Sequence, residues 1–384
     1  MMSKYPPYDI RLIDYRDITH PEAGGAERYL HEIFSRLARR GHRVRLLACT
    51  YPGAAQNDEL DGIHVERHGG RASFNFVALA ACRRWSRSGD GDVAVENLCK
   101  IPFFTHRLGG GMPSLTIVHH LFGKTVFQET NVVAGTYVRA YEALLPMGYR
   151  GAPLVAVSKS TSADLISRGI CPGPVTLIHN GVGTDHLCPK PGVEPGAQPR
   201  LIYLGRLKRY KRIDLLIRAA ARLRTDWPGL KVEIVGRGDH LPALRQLVEE
   251  SGLCDCVSFP GFVSEEEKID RLRRAHALVY TSPKEGWGIG AIEASACGVP
   301  VVASDSPGLS EAVLHEETGL LVPHGDLDAL TAALDRLLRD PALGERLAKG
   351  GVEWASHFSW DTAADRMERM LDEVVHAQRR PNAK

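Results

Sequence analysis

Short apolar runs rich in β-branched residues alternate with helical patterns along this chain, and the alternation stops once and then restarts. In the first half "DIRLID" (9–14) precedes the periodic "GAERYLHEIFSRLARRG" (25–41), and "HRVRLLAC" (42–49) follows. "DVAVEN" (92–97), "SLTIVHH" (114–120), "PLVAVS" (153–158) and "VTLIHNG" (175–181) are further strand-length runs. Strands separated by helical crossovers predict parallel sheets, hence an α/β fold. The interruption is "PKPGVEPGAQP" (189–199), which holds four prolines and two glycines. Proline supplies no backbone donor and disfavours helix on both sides, so this stretch reads as a linker. The pattern resumes with "RLIYLG" (200–205), a helix to about Arg224 and "KVEIVG" (231–236), then "VSFPG" (257–261), "SEEEKIDRLRRA" (264–275), "HALVYTS" (276–282) and "VPVVAS" (299–304). A long helix is expected over 358–378. The expectation is two doubly wound domains, 1–188 and 200–357, joined by 189–199. Ligands of such sheets bind outside the carboxyl ends of the strands, here in a cleft between the two domains.

A length of 384 residues agrees with two domains rather than one core. With 43% hydrophobic and 24% charged residues the composition is that of an ordinary globular protein. A formal net charge of +2 is far from the basic excess that phosphate-backbone binding needs, so nucleic acid is not an expected partner. The eight cysteines, Cys49, Cys82, Cys99, Cys171, Cys188, Cys254, Cys256 and Cys297, contain no CxxC pair. Cys254-Asp255-Cys256 stands without a second pair, so no zinc site is expected, and reduced thiols in a cytoplasmic protein fit better. The start, "MMSKYPPYDIRLIDYRD", has no apolar signal core, and no run of 18 apolar residues occurs. The chain is therefore expected to be neither exported by a signal peptide nor membrane-spanning. "FNFVALAACRRWSRSG" (74–89) mixes apolar and basic residues, which suits either an ordinary surface helix or peripheral contact with the inner face of a membrane.

The chemistry concentrates in "PKEGWGIGAIEASACGVPVVASD" (283–305). Glu285 lies in a loop that follows a strand. Gly286, Gly288 and Gly290 let backbone approach a ligand, and the helix starting near Ile289 adds its positive end. Glu293, one turn into that helix, sits among alanines, serine and cysteine, where an unpaired carboxylate would cost several kcal/mol, roughly, so a partner is required. That partner is either a vicinal diol such as a ribose or a cation within the protein. "YLGRLKRYKRID" (203–214) places Gly205 at a strand end and then Arg206 and Lys211 around a turn into a helix, an arrangement that suits a diphosphate. A solvated basic face has the same look. "VGRGDH" (235–240) gives a second strand-end turn at Gly236, and "PGLSEAV" (307–313) puts Glu311 at a helix start.

In this order GRLxxxK, VGxG, ExxxGIxxxE and GxxE resemble the retaining family 4 glycosyltransferases (glycosyl transferases group 1) of GT-B fold, which has two Rossmann-like domains. "PEAGGAERYLHEI", "IVHHLFG", "VAVSKSTSADL" and "IHNGV" extend the resemblance over nearly the whole chain. It implies Arg206 and Lys211 on a donor diphosphate, Glu293 on the nucleotide ribose and Glu285 on hydroxyls of the donor sugar. Backbone amides of Gly286, Trp287, Gly288, Ile289 and Gly290 would surround that sugar, with Gly205 and Gly236 completing the donor side. Gly24 and Gly25 would offer N–H groups near the diphosphate and the acceptor. His119, or its neighbour His120, would stand beside the sugar at the cleft. Trp287 replaces the phenylalanine common in the family, which leaves the sugar open. The implied reaction transfers a hexose from a nucleotide-diphosphate sugar to a hydroxyl acceptor by front-face substitution, with no metal and no cofactor. A phosphorylase or sugar-phosphate synthase of the same architecture, or a non-catalytic nucleotide-sugar binding subunit, are the alternatives. A dinucleotide-dependent oxidoreductase would need G-x-G-x-x-G after the first strand, which "RLIDYRDITHPEAGGAERYL" lacks.

Overall fold

The structure is a computed structural model that describes residues 3–379, apart from 99–100, 124–125, 130–131, 174, 184–185, 191, 193–195 and 197. Cys99 and much of the proline-rich stretch 189–199 therefore lie outside the described residues. The chain divides into two compact units, Met1–Gly181 with Trp360–Lys384, and Val182–Ser359. The division falls after Gly181, ahead of the proline-rich stretch. Val182 N–H donates to Phe358 O at 2.9 Å and pairs with Ser359, which ties residues 182 onward to the second unit.

Among the described residues, the first unit holds strands β1 (Asp9–Ile13), β2 (Arg43–Ala48), β3 (Asn57–Leu60), β4 (Ile63–Arg67), β5 (Val93–Asn97), β6 (Ser114–Val118), β7 (Leu154–Ala156) and β8 (Thr176–Leu177). They form one sheet in the order β3-β4-β2-β1-β5-β6-β7-β8. All pairs are parallel except the β3–β4 hairpin. Strands β1, β5 and β6 are buried at nearly every position, as in a parallel sheet whose two faces are both covered. Strand order reverses between β1 and β5, and this is where such a sheet opens a crevice at its carboxyl edge.

The second unit holds β9 (Arg200–Leu204), β10 (Lys231–Val235), β11 (Val257–Gly261), β12 (Ala277–Tyr280), β13 (Val301–Asp305) and β14 (Gly319–Pro323). They form a parallel sheet in the order β11-β10-β9-β12-β13-β14. Its reversal lies between β9 and β12, so the loops after Leu204 and Tyr280 flank the crevice. The helix Glu265–Arg273 begins where the "SEEE" sequence dictates. Ser264 Oγ accepts from the Glu267 N–H at 3.1 Å, and three glutamates fill the positive first turn.

The C-terminal helix Trp360–Arg379 belongs to the first unit. Met367, Leu371 and Val375 are buried, and the Trp360 ring meets Tyr29 of the helix Gly25–Arg39 at 6.2 Å. Glu368 of this helix accepts from Arg40 at 2.8 Å and from His42 at 2.9 Å. Of the cysteines, Cys49, Cys82, Cys256 and Cys297 are buried thiols, Cys171 and Cys188 are half-buried and Cys254 is exposed. No helix among the described residues is long and apolar enough to cross a membrane.

Candidate functional site

Backbone crossings at the reversal point of the second sheet explain the glycine spacing. A Cβ on Gly236 would lie 1.8 Å from Gly205 O, and one on Gly238 2.0 Å from Leu207 O. The loops after β9 and β10 therefore cross with nothing between them, and Gly205 and Gly236 hold positive φ there. Leu207 N–H donates to Arg237 O at 2.8 Å across that crossing. The chain then makes a tight turn at 209–211 and passes through a left-handed Arg212 with φ of 53° before the helix Ile213–Leu223. That conformation is uncommon for a side-chain-bearing residue and needs support. Thr281, just after β12, gives it: its hydroxyl lies 3.0 Å from Lys211 O and 2.7 Å from Arg212 O.

This scaffold aims Lys211 at Glu285. Lys211 Nζ donates to both carboxylate oxygens, at 2.5 and 2.6 Å, and the Ser282 hydroxyl donates to one of them. Burial pushes the Lys211 ammonium down, but the adjacent Glu285 charge outweighs it and the net shift is upward. Lys211 is therefore a fixed cation at the carboxyl edge of the sheet. Arg206 stands in the same loop with its side chain exposed. The loop of "PGLSEAV" closes against Glu285, whose N–H donates to Pro307 O at 2.9 Å; a Cβ on Gly308 would lie 2.4 Å from Glu285 O.

Glycines also bring the next helix, Ile289–Ala296, close to the sheet. A Cβ on Gly290 would meet the Tyr280 hydroxyl at 2.1 Å, and that hydroxyl donates to Leu204 O at 2.7 Å. Gly288 precedes the helix with φ of 76° and Ile289 opens it. Glu293 is buried on this helix and has a partner within the protein: Lys268, from the helix Glu265–Arg273, donates to its Oε1 at 3.0 Å. Of the two partners open at the sequence level, the cation within the protein is present. Lys268 was not legible beforehand, since 25 residues separate the pair. Trp287 has its ring buried edge-on against Phe358 at 4.7 Å.

In the first unit Gly24 precedes the helix Gly25–Arg39, and its N–H donates to Glu27 Oε2 at 2.8 Å. That donor is engaged by the chain's own carboxylate; Gly25 is exposed. His119 follows β6 and is buried, with Nε2 2.9 Å from Asn97 Oδ1, and Asn97 in turn donates to Asp14 Oδ2 at 2.6 Å. His120 is half-buried and lies edge-on to Phe122 at 4.6 Å. Burial, then His120, pushes the His119 imidazole down to about 3. Asp14 moves well up, through burial and the neighbouring Glu27. Among the described residues no cluster of three or more His, Cys, Asp or Glu is arranged to hold a metal ion.

Residues 189–354 match the family described as glycosyl transferases group 1, and residues 23–186 match glycosyltransferase family 4. The chain is 30% identical to a GDP-mannose-dependent alpha-(1-6)-phosphatidylinositol monomannoside mannosyltransferase of Mycolicibacterium smegmatis, over 91% of this chain and 95% of that protein. It is 27% identical to a glycogen synthase of Mycobacterium tuberculosis, over 93% of each. The fold superposes on a sucrose-phosphate synthase of Thermosynechococcus elongatus with a TM-score of 0.81 and 25% identity, covering 96% of this chain and 99% of that one. With such identity sustained along nearly the whole of both chains, this protein belongs to the group 1, family 4 glycosyltransferases of GT-B fold, enzymes that move a sugar from a nucleotide donor.

Proposed function

We propose that the protein is a retaining hexosyltransferase that takes its sugar from a nucleotide-diphosphate donor without a metal ion. The observation that carries this reading is the cation Lys211, hydrogen-bonded to Glu285 at the reversal point of the second sheet with Arg206 in the same loop. In the reaction the bond between the anomeric carbon and the β-phosphate oxygen breaks, and negative charge grows on the departing diphosphate. Arg206 and Lys211 neutralise that charge, so they stabilise the transition state more than the bound donor. The acceptor oxygen bonds to the anomeric carbon on the face the diphosphate leaves, and its proton passes to a phosphate oxygen. Glu285 takes sugar hydroxyls while Lys211, still paired with it, turns its remaining N–H to the diphosphate, and the amides of Gly286 to Gly290 line the same loop.

Glu293 holds the ribose with Lys268 steadying its carboxylate. In the first unit His119 is assigned to the sugar. A diphosphate reaching the turn at Gly24 and Gly25 has to meet it on the Gly25 side or displace Glu27. The acceptor is a hydroxyl of a glycan, a lipid-linked sugar or a small molecule. Exposed Phe76 and Arg83, Arg84 and Arg87 on the helix Phe74–Ser88 suit an acceptor with an apolar tail at an anionic surface. The mannosyltransferase relative makes GDP-mannose the first donor to try, with UDP-hexoses beside it. The likeness to a sucrose-phosphate synthase adds phosphorylated sugars to the acceptors worth testing.

The test is release of nucleoside diphosphate from each donor, with and without acceptor and with EDTA present. Release is expected to persist in EDTA, and the anomeric configuration of the product is expected to match the donor. Arg206→Ala and Lys211→Ala should each lower kcat by about 100-fold or more, with donor binding weakened less. Normal turnover by either variant, inversion of configuration or a metal requirement for the chemistry would overturn the proposal.

A further inference from the structure

Three polar side chains stand together at the carboxyl edge of the first sheet. Asp14 follows β1 and Asn97 ends β5, the two strands between which the order reverses, and His119 follows β6. None is more than 9% exposed. Asn97 Nδ2 donates to Asp14 Oδ2 at 2.6 Å, and Asn97 Oδ1 lies 2.9 Å from His119 Nε2. An amide has one donating end and one accepting end. With its NH2 group committed to Asp14, Asn97 turns an oxygen toward the imidazole, and only an N–H satisfies that oxygen. We propose that Asp14 and Asn97 are positioning residues that hold His119 as the neutral Nε2–H tautomer, so that Nδ1 remains an acceptor for a substrate hydroxyl. The functional half of this inference rests on the assignment of His119 to the sugar.

The surroundings favour that state. Tyr29 meets the ring edge-on at 5.1 Å, and the Thr161 hydroxyl donates to the His119 carbonyl at 2.9 Å. Asp14, Glu27, Tyr29 and His120 are the titratable groups around the network. Burial and His120 keep the imidazole neutral at physiological pH. Burial and Glu27 raise the Asp14 carboxyl, whose Oδ2 accepts from Asn97. The opposite tautomer would set the Nε2 lone pair against Asn97 Oδ1, leaving two buried acceptors facing each other.

Nitrogen-15 NMR of the labelled full chain reads the tautomer directly, with His119→Gln identifying the resonances. Nε2 is expected to be protonated and Nδ1 unprotonated, unchanged between about pH 5 and pH 8. Asn97→Leu is expected to mix the tautomers and lower kcat by about tenfold or more, with donor KM little changed. Asn97→Asp still offers an oxygen and is expected to restore the Nε2–H state. A wild-type proton on Nδ1, or titration within that range, would overturn the inference. So would an Asn97→Leu protein with an unaltered tautomer, or with a mixed tautomer and an unaltered kcat. The spectrum needs no donor: Nε2–H in a protein that transfers no sugar would remove the proposed function and leave the tautomer assignment standing.

Discussion

Lys268 and Glu293 raise a question of division of labour, because one carboxylate is asked to hold a protein cation and a ribose. Its Oε1 faces Lys268 at 3.0 Å, and both side chains are largely buried. Removing Lys268 leaves a buried carboxylate without that cation, whereas a glutamine at 293 keeps an oxygen for Lys268 and loses only charge assistance. Lys268→Met is therefore expected to cost more stability than Glu293→Gln, by about 1–2 kcal/mol. Glu293→Gln is expected to weaken nucleotide binding about tenfold, since hydrogen bonds to a charged group contribute about 1.5–3 kcal/mol. Melting curves and calorimetric titration with GDP or UDP separate the two effects. If Glu293 serves Lys268 alone, neither variant will change nucleotide affinity.

At the scale of elements, the helix Trp360–Arg379 is the one whose sequence neighbours lie in the other unit while its packing does not. It buries Trp360, Met367, Leu371, Val374 and Val375 in the first unit, each worth about 1.5–3 kcal/mol. It also supplies Glu368 to His42 and Arg40, and Asp372 to the Tyr8 hydroxyl at 2.5 Å. Since a domain keeps only about 5–15 kcal/mol of net stability, truncation after Ser359 is expected to unfold the first unit. Calorimetry would then show one thermal transition lost and the other kept; two intact transitions would refute this. Both parallel sheets were legible because their strands are short runs rich in β-branched residues between helical patterns, and Gly205 and Gly236 were legible as turns at strand ends, whereas the contact of Gly290 with the Tyr280 hydroxyl was not. The β3–β4 hairpin was not, as "NDEL" offers no apolar alternation and its four residues are mostly exposed. Asp14 and Asn97 stood at the ends of "DIRLID" and "DVAVEN", yet their meeting depends on β1 pairing with β5, which no local pattern encodes. Lys268 was hidden for the same reason.

At the scale of the whole molecule, the second unit is an insertion into the first, because the chain leaves the first unit after Gly181 and returns to it at Trp360. The insertion begins and ends at one place: Val182 N–H bonds to Phe358 O, and Val182 pairs with Ser359. A segment whose ends already meet can be excised without pulling apart its own packing. The second unit carries a complete parallel sheet and all of Arg206, Lys211, Glu285 and Glu293. His119, Gly24 and Gly25 stay behind in the first unit. The fragment 182–359 is therefore expected to unfold cooperatively and to bind the nucleoside diphosphate of the donor while transferring no sugar. Ligand at about a hundred times its dissociation constant adds about 2.7 kcal/mol, which for a unit of this size raises Tm by roughly 5–10 °C. If the full chain shows that shift with GDP or UDP and the folded fragment does not, the donor site is not contained in the second unit, and the roles assigned to Lys211 and Glu293 fall with it.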